Sequence, residues 1–283
     1  HERLRARANE AARSILLDAG EQGRIETEDL WDALKFWYGH HNKDRKKVRP
    51  KGLEYIQSDS FGLVQTKTRV MFYSRCSQDY PCLIALVNCF LADRTMTETF
   101  YWSSFTLNVD FASARHRDIF NEGPSKIITV GKYRGGGLIT WPSGDGKICL
   151  ADLSLSDAVL INPRKLSPFD GKKAHETANF TGRRVSIIWY LAKPVDNVPS
   201  QLIPLLLGGG FHLGPVSAHT VTGPPKGGEA DSPALVPVRV AGLLGESVES
   251  AERGGAVASP PPAARPRFCS ERALALSGAR LGR

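Results

Sequence analysis

Two short segments carry side chains whose types and spacing could do chemistry. The first is Ala114-Arg115-His116-Arg117-Asp118, in which His116 and Asp118 stand two residues apart. On an extended backbone, residues i and i+2 share a face, so an imidazole and a carboxylate would point the same way. Together they supply two of the three ligands of a two-histidine, one-carboxylate site, which leaves positions open on a non-haem Fe(II) ion. The second segment starts at His175 and reaches, nine residues later, the run Arg184-Val185-Ser186-Ile187-Ile188-Trp189-Tyr190. Alternation places Arg184, Ser186, Ile188 and Tyr190 on one face of that run and turns Arg183 to the other. A guanidinium grips a carboxylate through two parallel hydrogen bonds, and a hydroxyl two residues on adds a donor. His175 is therefore the candidate third ligand. Arg184 with Ser186 is the candidate anchor for a dicarboxylate co-substrate, and Arg183 is its competitor.

These residues need a scaffold, and the chain offers one. From residue 100 the texture is strand-like: 101–109, 126–130, 137–141, 147–150, 158–161 and 184–191 are short runs rich in β-branched and aromatic residues, separated by Gly, Pro, Asn and Asp. Short strands at this spacing, with no helical pattern between them, predict a sandwich or jelly roll rather than a parallel sheet. Before them, apolar residues at helical spacing predict helices over 2–19 and 26–37, the second capped by Thr27. Residues 82–91 are apolar on nearly every side and predict a buried helix. Gly135-Gly136-Gly137 reads as a turn between two strands, since no Lys-Ser/Thr follows as in a phosphate loop.

The order and spacing of these groups resemble the Fe(II)/2-oxoglutarate-dependent dioxygenases. Beyond the ligands, the resemblance rests on Thr106-Leu107-Asn108-Val109, Asn121-x-Gly123-Pro124-Ser125, Gly131-x-Tyr133-x-Gly135-Gly136-x-Leu138, Phe169-Asp170-Gly171, His175-x-Thr177 and Phe180-x-Gly182-x-Arg184-x-Ser186. The set is similar to protist and algal 2-oxoglutarate oxygenase-like proteins and, more distantly, to the Tet/J-binding-protein group that oxidises thymine or 5-methylcytosine. The resemblance covers about residues 100–192. It implies an α+β fold with a double-stranded β-helix (jelly-roll) core, Fe(II) held by His116, Asp118 and His175, and 2-oxoglutarate paired through its distal carboxylate with Arg184, assisted by Ser186. It also implies oxidation of a substrate by dioxygen, with release of succinate and carbon dioxide. Trp141 is left between lining the site and packing the core, and Asn108 between a co-substrate neighbour and a satisfied polar residue.

Composition bounds the rest. The 283 residues are 41% hydrophobic and 23% charged, which excludes collagen-like and wholly disordered chains. The net charge of +8 is moderate, and half of it falls in residues 121–200, which hold 11 basic and 7 acidic side chains. A basic loop over 40–51, with Arg45, Lys46, Lys47, Arg49 and Lys51, allows a nucleic-acid partner but reads better as a solvated loop, because aromatics do not interleave with the charges. Five cysteines at scattered positions predict free thiols rather than a disulfide framework or a zinc finger, and His40-His41 has no third histidine at useful spacing. No apolar run is long enough to span a bilayer. An intracellular location, cytoplasmic or nuclear, is the expectation; the chain begins at His1, so a targeting segment upstream is left open. The expected division is a helical support over 1–99 folding as one domain with the catalytic core over 100–195, then a disordered Gly/Pro/Ala-rich tail over 196–283, with one short helix near 270–276. The rivals to an active dioxygenase are a jelly-roll binding protein whose site has lost turnover, a Tet-like nucleic-acid base oxidase, and a non-enzymatic nucleic-acid binder.

Overall fold

The computed structural model of the chain describes residues 1–22, 24–66, 68, 70–193 and 197–214. In chain order the elements are α1 (Glu2–Gln22), α2 (Thr27–Leu34), β1 (His41–Asn42), β2 (Ile56–Gln65), β3 (Met71–Tyr73), α3 (Arg75–Asp79), α4 (Pro81–Thr95), β4 (Ser104–Val109), β5 (Asn121–Gly135), β6 (Leu138–Trp141), β7 (Val159–Ile161), β8 (Ser167–Phe169), β9 (Ala174–Thr177), β10 (Phe180–Ala192) and α5 (Ile203–Gly208). The fold is α+β, with helices packed on antiparallel sheet.

Ala8, Ala12, Leu16 and Ala19 form the buried stripe of α1. Small side chains there let α1 lie close to α4, whose residues from Cys82 to Leu91 are all buried. That all-round burial explains why the segment carries no amphipathic pattern: it lies between α1 and the sheet. The second helix, Thr27–Leu34, is shorter than the expected 26–37, and its cap lies one residue earlier than expected. Glu26, not Thr27, is its N-cap, and the Asp29 carboxylate accepts the Glu26 N–H at 2.7 Å.

The larger sheet has the order β1-β2-β4-β10-β5-β8, with β3 also on β2; the smaller runs β7-β6-β9. Its long central strand, β10, pairs with β4 from Val185↔Val109 to Tyr190↔Ser104 and with β5 from Phe180↔Gly135 to Ala192↔Asn121. Val185, Ile187 and Trp189 turn into the core shared with the helices. Ile127 of β5, Leu138 of β6 and Phe169 of β8 form a second cluster, with Ile161 and Ile188 against it, that joins the two sheets.

Two expectations need correction, and one long strand escapes the sequence pattern. Residues 147–150 are not a strand: the turn after Gly144 has Lys147 N–H bound to the Asp145 carboxylate at 2.9 Å, and a 3-10 turn over Leu150–Asp152 follows. Strand β2 was hidden because Ser58, Asp59 and Ser60 interrupt its apolar run. Each is partnered: Ser58 with Asn108, Asp59 with the Trp37 indole, Ser60 with Thr106. Finally, chain after 196 does not leave the fold at once. Val198, Leu206, Phe211 and Leu213 are buried in the helical core. Trp102 and His212 exchange backbone hydrogen bonds at 2.7 and 2.9 Å, and Asn88 donates to the Gly209 carbonyl at 2.8 Å while accepting from the Trp102 indole at 3.1 Å. The remainder of the expected tail, including the helix near 270–276, lies outside the described residues.

Candidate metal and co-substrate site

Residues 114–118 and strand β9 meet at an isolated antiparallel bridge between His116 and His175. Each donates its backbone N–H to the other's carbonyl at 3.0 Å, which puts the two imidazoles on one side with ring centroids 4.2 Å apart. Two residues on, the Asp118 N–H binds the Gly171 carbonyl at 2.7 Å. The flanking arginines point away and fasten the segment. Arg115 pairs with Glu176 at 3.0 Å and lies over the Trp141 ring, and Arg117 donates to the carbonyls of Gly144 and Ile148.

The Nε2 atoms of His116 and His175 each stand 3.7 Å from an oxygen of Asp118. Both Nδ1 atoms face backbone carbonyls, Ala114 at 2.7 Å and Lys173 at 2.9 Å. A carbonyl cannot donate, so each Nδ1 carries a proton, and Nε2 is the nitrogen that each ring turns toward the carboxylate. Burial, and then the neighbouring His175, push the His116 imidazole down to about 4, so it is neutral at pH 7. Two imidazole nitrogens and a carboxylate oxygen thus converge, in an arrangement able to hold a metal ion.

This group opens on a cavity of about 400 Å³. Its walls come from both sheets: Thr106, Ser186, Ile188 and Tyr190 from the large one, Leu138 and Thr177 from the small one. The face expected from alternation in β10 is therefore the one observed. Arg183 is on the opposite face, where it pairs with Asp110 and donates to the Trp37 carbonyl at 2.6 Å.

Arg184 shares the face of Ser186 but is not part of the cavity wall. It is 2% exposed, its Nη2 donates to the Gly136 carbonyl at 3.1 Å, and its Nε–H has no partner. The rings of Phe180 and Tyr133 lie 5.2 and 5.7 Å from the guanidinium carbon. Burial pushes Arg184 down to about 10, with Tyr133 opposing, so it stays charged at neutral pH. Its backbone is held by Asp110, which follows β4 in the left-handed region at φ 55°: the carboxylate accepts Arg184 N–H at 2.7 Å, and Asp110 N–H reaches the Arg184 carbonyl at 2.9 Å.

Trp141 packs the core, its indole donating to the Ser154 carbonyl at 2.6 Å. Asn108 lines the cavity and is also satisfied, accepting from Ser58 at 2.7 Å. The sequence reading missed Arg45, a cavity-wall residue that donates to Ser58 at 2.7 Å, and Asp110. Arg45 reads in the sequence only as one of a basic run, and nothing in the spacing of Asp110 marks it apart from its place six residues before His116.

Comparison with solved structures finds NgTET1 in complex with 5mC DNA, with 13% identity and a TM-score of 0.37 over 48% of this chain and 61% of that one. The chain thus spans less than two thirds of that protein. It also finds an oxidoreductase of the 2OG-Fe(II) oxygenase family from Burkholderia pseudomallei, with 17% identity and a TM-score of 0.35 over 52% and 74% of the two chains. No protein-family model and no curated protein matches the sequence. Among the described residues, no helix is long and apolar enough to cross a membrane.

Proposed function

We propose that the chain is an Fe(II)- and 2-oxoglutarate-dependent dioxygenase on a double-stranded β-helix. It would oxidise its substrate with dioxygen and release succinate and carbon dioxide. In this reading His116, Asp118 and His175 hold the iron, and Arg184 with Ser186 receives the distal carboxylate of 2-oxoglutarate. The observation that carries it is the convergence of two imidazole Nε2 atoms and one carboxylate at the wall of a cavity. That donor set, with no thiolate, suits non-haem Fe(II) and would leave further positions open on the ion.

Iron with 2-oxoglutarate supplies the oxidising chemistry when bound. The protein's part is positional. The carbonyls of Ala114 and Lys173 fix both imidazole planes before any metal arrives, so little reorganisation remains at binding. The unpaired Nε–H of Arg184 fits a missing acceptor, since a buried charged donor left empty is costly and a carboxylate would fill it. Phe180 and Tyr133 keep water from that guanidinium, which strengthens its hold on an anion. Ile127, Leu138 and Ile188 make the adjoining wall apolar.

The test is an anaerobic titration with Fe(II) and 2-oxoglutarate, followed by the visible metal-to-ligand charge-transfer band. A band in the wild type and succinate on admitting oxygen support the reading. No band and no bound iron overturn it, and a band without succinate indicates a scaffold that has lost turnover.

One observation favours a Tet-like substrate reading. The basic loop borders the cavity through Arg45, and although Lys43 and Arg49 are engaged with Glu54, Lys46, Lys47 and Lys51 are exposed. If they contact phosphates, charge reversal at Lys46 and Lys47 will weaken nucleic-acid binding and flatten its salt dependence.

A further inference from the structure

On the other face of β2 from the cavity, three side chains from three parts of the chain converge. His40 lies between α2 and β1, Asp59 in the middle of β2, and Cys76 in α3. Ser58 and Ser60 bond to Asn108 and Thr106 on the cavity side, whereas Asp59 turns toward Trp37 and the helices. The three ligand atoms lie within 4.8 Å of one another. His40 Nδ1 is 2.6 Å from Asp59 Oδ1, and Cys76 Sγ is 3.9 Å from each of them. The other carboxylate oxygen accepts the Trp37 indole N–H at 3.0 Å and the His40 backbone N–H at 3.1 Å. Those two bonds hold Asp59, itself buried, with Oδ1 aimed at the histidine and the thiol.

A cysteine, a histidine and a carboxylate also make up nucleophilic relays, but a relay uses both imidazole nitrogens, one for the thiol and one for the carboxylate. Here a single atom, Nδ1, meets both partners. Three donors facing one point is instead the geometry of ligation. An ion with bonds of about 2.0–2.1 Å to N and O and about 2.3 Å to S holds tetrahedral ligand atoms roughly 3.3–3.5 Å apart. Both sulfur separations are near that spacing. The His40–Asp59 distance must open by less than about 1 Å to reach it, and His40, with its side chain half exposed, is free to make that movement.

We propose that His40, Asp59 and Cys76 form a second metal site, for a borderline-soft divalent cation such as Zn²⁺. Solvent reaches the half-exposed His40 and supplies the fourth position. A thiolate, an imidazole and a carboxylate select such an ion over Mg²⁺ or Ca²⁺, which prefer oxygen alone. The bound ion clips the α2–β1 connection to β2 and α3, three segments that otherwise meet here through hydrogen bonds. None of the three residues lines the cavity of His116 and His175, so the two sites load independently.

The test is an anaerobic Co²⁺ titration of the full chain, because only a thiolate-bearing site gives the intense near-ultraviolet sulfur-to-cobalt band. The expected result is a band that is bleached by Zn²⁺, survives His175→Ala, where it saturates at one equivalent, and is lost in Cys76→Ser. His40→Ala, a change at a half-exposed position, should abolish the band or move its midpoint to much higher Co²⁺ even if Cys76→Ser fails to fold. Absence of the band in the wild type overturns the proposal. So does its persistence in folded Cys76→Ser, its loss in His175→Ala, or an unchanged midpoint in His40→Ala.

Discussion

A Cβ on Gly136 would stand 2.9 Å from Nε of Arg184, so the missing side chain of one residue makes the space the other occupies. Gly136 also sits at φ 72°, in the region that favours glycine. Gly136→Ala should therefore act twice, straining the backbone by about 1–3 kcal/mol and displacing the guanidinium. Thermal melts should report the first effect. Titration should report the second, as weaker 2-oxoglutarate binding with Fe(II) affinity retained.

The two adjacent arginines should separate cleanly by function. Arg184→Lys keeps a charge but loses the planar donor pair, and it should weaken 2-oxoglutarate binding by tenfold or more, about 1.4 kcal/mol. Arg183→Ala cuts the link from β10 to Asp110 and to Trp37 in the turn after α2, so it should lower the melting temperature and leave 2-oxoglutarate affinity near wild type. If Arg183→Ala has the larger effect on affinity, the face assignment in β10 does not describe co-substrate binding.

Acid should destabilise the metal-free chain through His116. Its folded-state value of about 4 lies below the ordinary 6.5, so between those values the unfolded chain takes up a proton that the folded one does not. Stability present above pH 6.5 is thus lost as pH falls toward 4. Melting temperature measured from pH 7 to 4.5 should fall, and His116→Asn should flatten that dependence.

Phe211 tests whether residues 197–214 belong to the fold. It is buried against Phe105, with ring centroids 6.0 Å apart, and its ring edge fills the space a Cβ on Gly62 would need. Phe211→Ala should cost about 3–5 kcal/mol in denaturant unfolding, as expected for a core aromatic. A neutral result would mean that the segment rests on the core without stabilising it.

What the sequence made readable was periodic or spaced. His116 and Asp118 at i and i+2, and the alternation through β10, are local patterns, and the structure keeps the faces they imply. What escaped depends on partners far along the chain. Strand β2 carries Ser58, Asp59 and Ser60, polar residues tolerable there only because Asn108, Trp37 and Thr106 satisfy them. The grouping of His40 with Cys76 needs Asp59 between them, and no short spacing announces it. Composition misplaced the end of the fold because Gly208–Gly210 dilutes a segment that nonetheless buries Leu206, Phe211 and Leu213.

The bridge between His116 and His175 has a consequence for how this chain tolerates change. The two histidines are hydrogen-bonded to each other, so their separation does not depend on the course of the chain that joins them. The exposed stretch from Leu155 to Asp157 can lengthen, shorten or change composition while the two Nε2 atoms stay where they are. That exposed stretch, unlike the buried β5 and β6 in the same interval, is open to divergence, and new surface can be added there at little cost to the geometry that holds a metal.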